Sequence, residues 1–147
     1  MGKQLFLFLV FAASWSTIGA QDVKLGTIKV VVDGIKEVKG KLYVALEKNA
    51  QDFDSGALHE AKYRGLNIEV KASKGEVEFQ EVPYGTYAIK TFHDANGDGK
   101  LNSNFIGVPN EDYGFSNNVR GTMGPAKYQE ASFVFDSAEK VLTITVK

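Results

Sequence analysis

Leu66-Asn67-Ile68-Glu69-Val70-Lys71-Ala72 alternates apolar and polar residues without a break. Successive side chains of a strand point to opposite faces, so this period of two places Leu66, Ile68, Val70 and Ala72 on one side, where they must meet a core. The same rhythm recurs in Ile28 to Val32, Leu42 to Leu46, Val77 to Val82, Tyr87 to Phe92, Ala131 to Phe135 and Leu142 to Val146. About seven candidate strands follow. Asp33-Gly34, Ser73-Lys74-Gly75, Pro83-Tyr84-Gly85 and the polar Asp136 to Glu139 supply turn chemistry between them. Short strands at this spacing read as an all-β antiparallel sandwich rather than a parallel α/β sheet. Its expected core is Ile28, Val30, Leu42, Val44, Ile68, Val70, Val77, Phe79, Phe133, Phe135 and Ile144. One brief helix is expected over Asp54 to Tyr63, with Ser55 as N-cap and Leu58, Ala61 and Lys62 following.

A chain of 147 residues suits one domain and is too short for two. Hydrophobic residues at 44% and charged residues at 24% fit neither a disordered chain nor a many-spanning membrane protein. Seventeen Lys plus Arg against eighteen Asp plus Glu give a formal charge of −1, which offers no basic field for nucleic acid. Without cysteine there is no disulfide, thiolate metal site, cysteine nucleophile or lipidated N-terminal cysteine.

Residues 1–20 read as a secretory signal peptide. Lys3 gives a positive start, Leu5 to Ala13 an apolar run, and Ile18-Gly19-Ala20 a small residue before a polar stretch. That run is shorter than the roughly 20 residues of a bilayer span, so cleavage after Ala20 is expected, with no membrane span afterwards. Removal takes Lys3 and no acid, which leaves sixteen bases against eighteen acids and a formal charge of −2. Trp15 leaves as well. Residues 21–147 then form a single secreted or periplasmic domain. A cysteine-free chain of this kind suits a bacterial envelope, because small eukaryotic secreted domains more often rely on disulfides.

The strand rhythm stops between Asp94 and Pro125, where no helix or strand is expected. Structureless connections beyond about 12 to 15 residues are uncommon in compact domains and are usually functional or disordered. Phe105, Ile106, Val108, Tyr113, Phe115, Val119 and Met123 carry more apolar bulk than a solvated linker, so an ordered cap packed on the sandwich is expected. Its many Gly and Asn residues let the backbone take left-handed conformations.

Three blocks of this cap, His93-Asp94-Ala95-Asn96-Gly97-Asp98-Gly99-Lys100-Leu101-Asn102, Phe105-Ile106-Gly107-Val108-Pro109 and Glu111-Asp112-Tyr113-Gly114-Phe115-Ser116-Asn117-Asn118, carry a resemblance. With Pro83-Tyr84-Gly85-Thr86-Tyr87 before them, their order and spacing are similar to the bacterial domain of unknown function 2141 family, over about Val23 to Val146. The resemblance implies a secreted, Ig-like or prealbumin-like sandwich and no established activity. The family often has Asn at the position of Asp98, so this chain carries one more carboxylate.

Asp94-x-Asn96-x-Asp98-Gly99 is similar to the opening of an EF-hand or dockerin calcium loop. A hard cation takes oxygens at alternating positions of a tight turn, with a backbone carbonyl at the seventh, here Lys100. Phe105 stands where a bidentate Glu belongs, and a strand rather than a helix leads in. The alternative is a turn whose Asx side chains satisfy their own backbone. Both readings stand at this point, and a calcium site of this composition would be weak.

His93 beside Asp94 lacks the third ligand of a metalloenzyme, since His59 is the sole other imidazole and no spacing connects it. A structural hydrogen bond to a loop carbonyl is the expected role of His93. Ser116 has no Gly-x-Ser-x-Gly surroundings, and Gly97-x-Gly99 opens no helix, so neither a serine hydrolase nor a dinucleotide fold is indicated. His93, Glu111, Tyr113, Phe115 and Asn117 are the candidate ligand-contacting residues, because exported sandwiches often bind through loops at one end. The favoured function is a non-catalytic binding or accessory module for an envelope or extracellular ligand or protein, with the 94–125 loop as recognition surface. The alternatives are a structural envelope protein pairing through sheet edges or faces, and a small hydrolase built on His93 and Asp94.

Overall fold

The computed structural model describes residues 22–55 and 57–147. The expected signal peptide, residues 1–20, lies outside them. The alternation of Ile28, Val30 and Val32 forms β1 (Leu25–Asp33), with all three side chains fully buried. There follow β2 (Lys41–Glu47), α1 (Ala50–Ser55), β3 (Arg64–Glu69), β4 (Gly75–Pro83) and β5 (Gly85–Asp94). The chain ends through β6 (Tyr113–Phe115), a 3-10 turn (Ser116–Asn118), α2 (Tyr128–Ala131), β7 (Phe133–Phe135) and β8 (Glu139–Thr145).

Two sheets face each other, one of order β4-β1-β8 and one of order β3-β2-β5-β6, with β7 also paired to β5. The protein is an all-β sandwich. Pairings are antiparallel except that β1 runs parallel to β8, with Val30 opposite Leu142. That exception is possible because β8 arrives from the other sheet, which supplies the long crossover a parallel pair requires.

The expected core residues fill the space between the sheets, with Phe135 at 0% and Phe133 at 8% exposure. Ile68 is half-buried instead. A second cluster forms on the outer face of the larger sheet, where Phe53, Ala88, Phe115, Ala126 and Ala131 pack together. A partial third layer built from α1, α2 and the 119–127 segment therefore covers that face.

Three expectations are corrected. The helix lies at Ala50–Ser55, earlier than Asp54 to Tyr63, and Ser55 ends it rather than caps it. Asn49 is the cap, with Oδ1 accepting the Asp52 N–H at 2.9 Å and Nδ2 donating to Asp52 Oδ2 at 2.7 Å. Second, β3 is the edge strand of the five-stranded sheet and ends at Glu69, with Leu66 left 38% exposed. Third, the cap contains β6, and four of its apolar residues face solvent instead of packing: Phe105, Ile106, Val108 and Met123.

Phe135→Ala should destabilise the fold by roughly 3 to 5 kcal/mol, while Phe105→Ala should change stability by about 0.5 kcal/mol or less. Chemical denaturation of both variants checks the contrast.

Candidate functional site

At the end of β5 the Asp94 carboxylate is fully buried and serves as the hub of the next turn. Its Oδ1 accepts the N–H groups of Gly97 (2.7 Å) and Asp98 (3.2 Å), and its Oδ2 accepts that of Gly99 (2.8 Å). Gly97 and Gly99 both sit at φ 78°, which aims successive N–H groups inward at little steric cost. Asn96 Oδ1 accepts the Asp98 N–H at 3.0 Å, and Asp98 Oδ1 accepts that of exposed Lys100 at 2.9 Å. Asp98 Oδ2 accepts from the amides of Asn102 (2.9 Å) and Asn96 (3.4 Å). The Asn102 amide, and next the Lys100 N–H, hold the Asp98 carboxyl below the usual aspartate range.

Glu111 closes the loop from the far side. Its two oxygens accept the N–H groups of Ala95 and Asn102, each at 3.0 Å. His93 is 2% exposed, and its Nε2 lies 2.7 Å from the Lys39 carbonyl, the structural role expected for it. Among the described residues, no group of three or more His, Cys, Asp or Glu side chains is placed to hold a metal ion.

The Tyr113 to Asn118 block joins the two sheets. Tyr113 and Lys147 exchange backbone hydrogen bonds at 3.2 Å, while Phe115 pairs with Lys90 of β5. Asn118 Oδ1 accepts the Thr145 N–H at 2.8 Å and its Nδ2 donates to the Thr143 carbonyl at 3.1 Å, as a strand neighbour would. Buried Ser116 accepts the Ile89 N–H at 2.9 Å and donates to the Ala131 carbonyl at 2.5 Å. Asn117, at φ 60°, donates to the carbonyls of Glu130 and Ser132. Of the candidate contact residues, half-buried Tyr113 borders one groove, Phe115, 2% exposed, lines another, and His93 and Glu111 line a smaller cleft of about 130 Å³.

What remains free is the tip. Asn104 Oδ1 accepts the N–H groups of Ile106 (3.1 Å) and Val108 (3.0 Å), and the Asn104 N–H reaches the Val108 carbonyl at 2.8 Å. Within this stapled turn Phe105 is 99% and Ile106 68% exposed. Behind it two grooves of about 370 and 330 Å³ share Leu58, Leu101 and Pro125.

The second groove is lined by Lys90, which with its neighbour Glu47 forms a buried pair that the sequence does not single out. Glu47 on β2 and Lys90 on β5 are 0% and 1% exposed, with Lys90 Nζ 3.8 Å from Glu47 Oε1. Each Glu47 oxygen accepts a backbone N–H, from Lys62 (2.8 Å) and Tyr63 (3.1 Å). Lys90 Nζ has no hydrogen-bond partner among the described residues and lies 5.8 Å from the Phe53 ring centroid. Burial pushes the Lys90 ammonium below the usual lysine range, with Glu47 opposing the shift. In sequence both residues look like solvent-facing strand positions, and the α1 layer that hides them has no local signature.

An all-β sandwich with a polar-stapled cap is the class these features define. The profile of the bacterial family described as "Uncharacterized protein conserved in bacteria (DUF2141)" matches residues 30–143. The chain belongs to that family. No curated protein and no solved structure shows a significant match to it.

Asp94→Ala removes the acceptor of three N–H groups from a buried position and should cost roughly 3 kcal/mol or more. Asp98 should add an acid limb: a depressed carboxyl stabilises fully above its ordinary value of 3.8, and that contribution is lost as pH falls through the lower folded value. Denaturation of Asp98→Asn between pH 2 and 6 should show the acid limb flattened.

Proposed function

We propose that the protein is an exported, non-catalytic binding module that engages an apolar site on an envelope or extracellular protein through the 102–110 tip. The observation that supports this is the display of Phe105 and Ile106 on a turn closed by the Asn104 side chain. Exposed apolar side chains grouped on an ordered protrusion are a common mark of a contact surface. Met123, fully exposed on the neighbouring segment, and Val108, 52% exposed, enlarge the patch.

Calcium has no part in this reading. Each side-chain oxygen that would ligate it, on Asp94, Asn96 and Asp98, already accepts an N–H. These bonds satisfy the loop as an Asx turn without a cation, while each oxygen keeps lone-pair capacity that an ion could use. A melting temperature that rises from excess chelator to millimolar calcium would restore the ion.

A photo-crosslinking residue at Phe105, compared with the same residue at exposed Val134 and Val141, tests the surface. A single dominant adduct from position 105 in intact envelopes is expected. Adducts of equal yield from positions 134 or 141 would favour the sheet-face alternative, and absence of any adduct at 105 would remove the proposal.

A further inference from the structure

Glu47 and Lys90 pose a chemical problem that the tip does not address. A buried ammonium costs several kcal/mol unless its protons find acceptors. Glu47 lies too far for a hydrogen bond at 3.8 Å, and its oxygens are engaged by Lys62 and Tyr63. Asp54, in the wall of the same groove, is tied to the Tyr128 N–H at 2.9 Å. No neighbouring group within the described residues satisfies Lys90.

The groove that Lys90 lines is otherwise mostly apolar, with Phe53, Leu58, Leu101, Phe115 and Pro125 in its walls. Its volume of about 330 Å³ is in the range of small-molecule sites, and the adjoining 370 Å³ groove extends the same apolar path past Leu58 and Leu101. An apolar floor with a buried, unsatisfied cationic donor, rimmed by His59 and exposed Lys127, is complementary to a molecule that joins a hydrocarbon body to an anionic oxygen. A cationic head would meet Lys90 with like charge, and a neutral hydroxyl could accept from Lys90 but would forgo the ion pair.

We propose that this groove binds a small amphipathic carboxylate, with a carboxylate oxygen accepting from Lys90 Nζ and the hydrocarbon chain lying along Leu58, Leu101 and Pro125. The Lys90 groove itself contains no residue of the 102–110 tip, and only the adjoining groove borders it through Gly107, Val108 and Pro109, so octanoate binding at Lys90 can fail or hold whatever the tip contacts.

Titration with octanoate, octan-1-ol and octylammonium, followed by amide chemical shifts, tests the assignment. Octanoate should bind saturably, shift the amides of Lys90, Leu101 and Phe115, and bind about tenfold or more tighter than either comparison compound. Lys90→Met should reduce octanoate affinity to that of the alcohol. Leu101→Asp leaves the buried pair intact, so it covers the case in which Lys90→Met does not fold, and it should abolish octanoate binding with the fold retained. Non-saturable shifts, equal affinity for octylammonium, or unchanged octanoate binding in either folded variant would overturn the proposal.

Discussion

The Asn118 side chain, bonded to the Thr143 carbonyl and the Thr145 N–H, ties the cap to the free edge of β8. Five residues earlier, Tyr113 pairs with Lys147 beside the smaller sheet and, through β6, with β5 in the larger. The two sheets are thereby joined along one side by a single strap. That closure fixes the C-terminal end of the 95–112 segment as firmly as Asp94 fixes its start. With both ends held, the entropy of ordering the segment grows only slowly with its length, and internal staples from Glu111 and Asn104 suffice to shape it. The strap requires left-handed backbone at Asn117 and Asn118, φ 60° and 52°, which asparagine tolerates better than most side chains. It also requires Gly114, where a Cβ would lie 2.9 Å from Ile144 Cγ2.

The opposite side of the sandwich is managed differently. β3 and β4 are the edges that meet there, and Arg64 reaches across from β3 to the carbonyls of Gln80 and Glu81 at the irregular end of β4. Glu81, at φ 53°, marks that irregularity. A long cationic side chain at an edge strand is also a common guard against unwanted strand pairing. On the outer face of the larger sheet, stacking of Tyr43 on Phe92 at 4.9 Å and the Phe53 and Phe115 contact at 5.9 Å support the partial third layer. The Lys90 groove exists because that layer covers the sheet incompletely.

The sandwich was legible because a period of two is a local property, and Ile28, Val30, Leu42, Val44 and Phe135 are buried as alternation requires. The layers above it were not legible. β6 has three residues with glycine in the middle, too short for a period, and its position depends on contacts with β8. The α1 boundary was misplaced because Ser55 competes as a capping residue with Asn49, and only the Asp52 contact decides between them. Whether Leu66 is covered depends on strand order, which alternation does not encode. The Asx reading of Asp94 and the structural reading of His93 were available from residue chemistry alone. The burial of Lys90 depends on segments distant in sequence, and so does the exposure of Phe105.

The central claim is that the cap is an ordered display platform, so that its apolar tip is presented rather than loose. Backbone ¹⁵N relaxation across residues 94–125 tests this most directly. Order parameters near 0.85 are predicted for Gly97, Gly99, Asn104, Ile106 and Val108, matching those of β5. Values below 0.6 through the tip, with β5 rigid, would contradict the account.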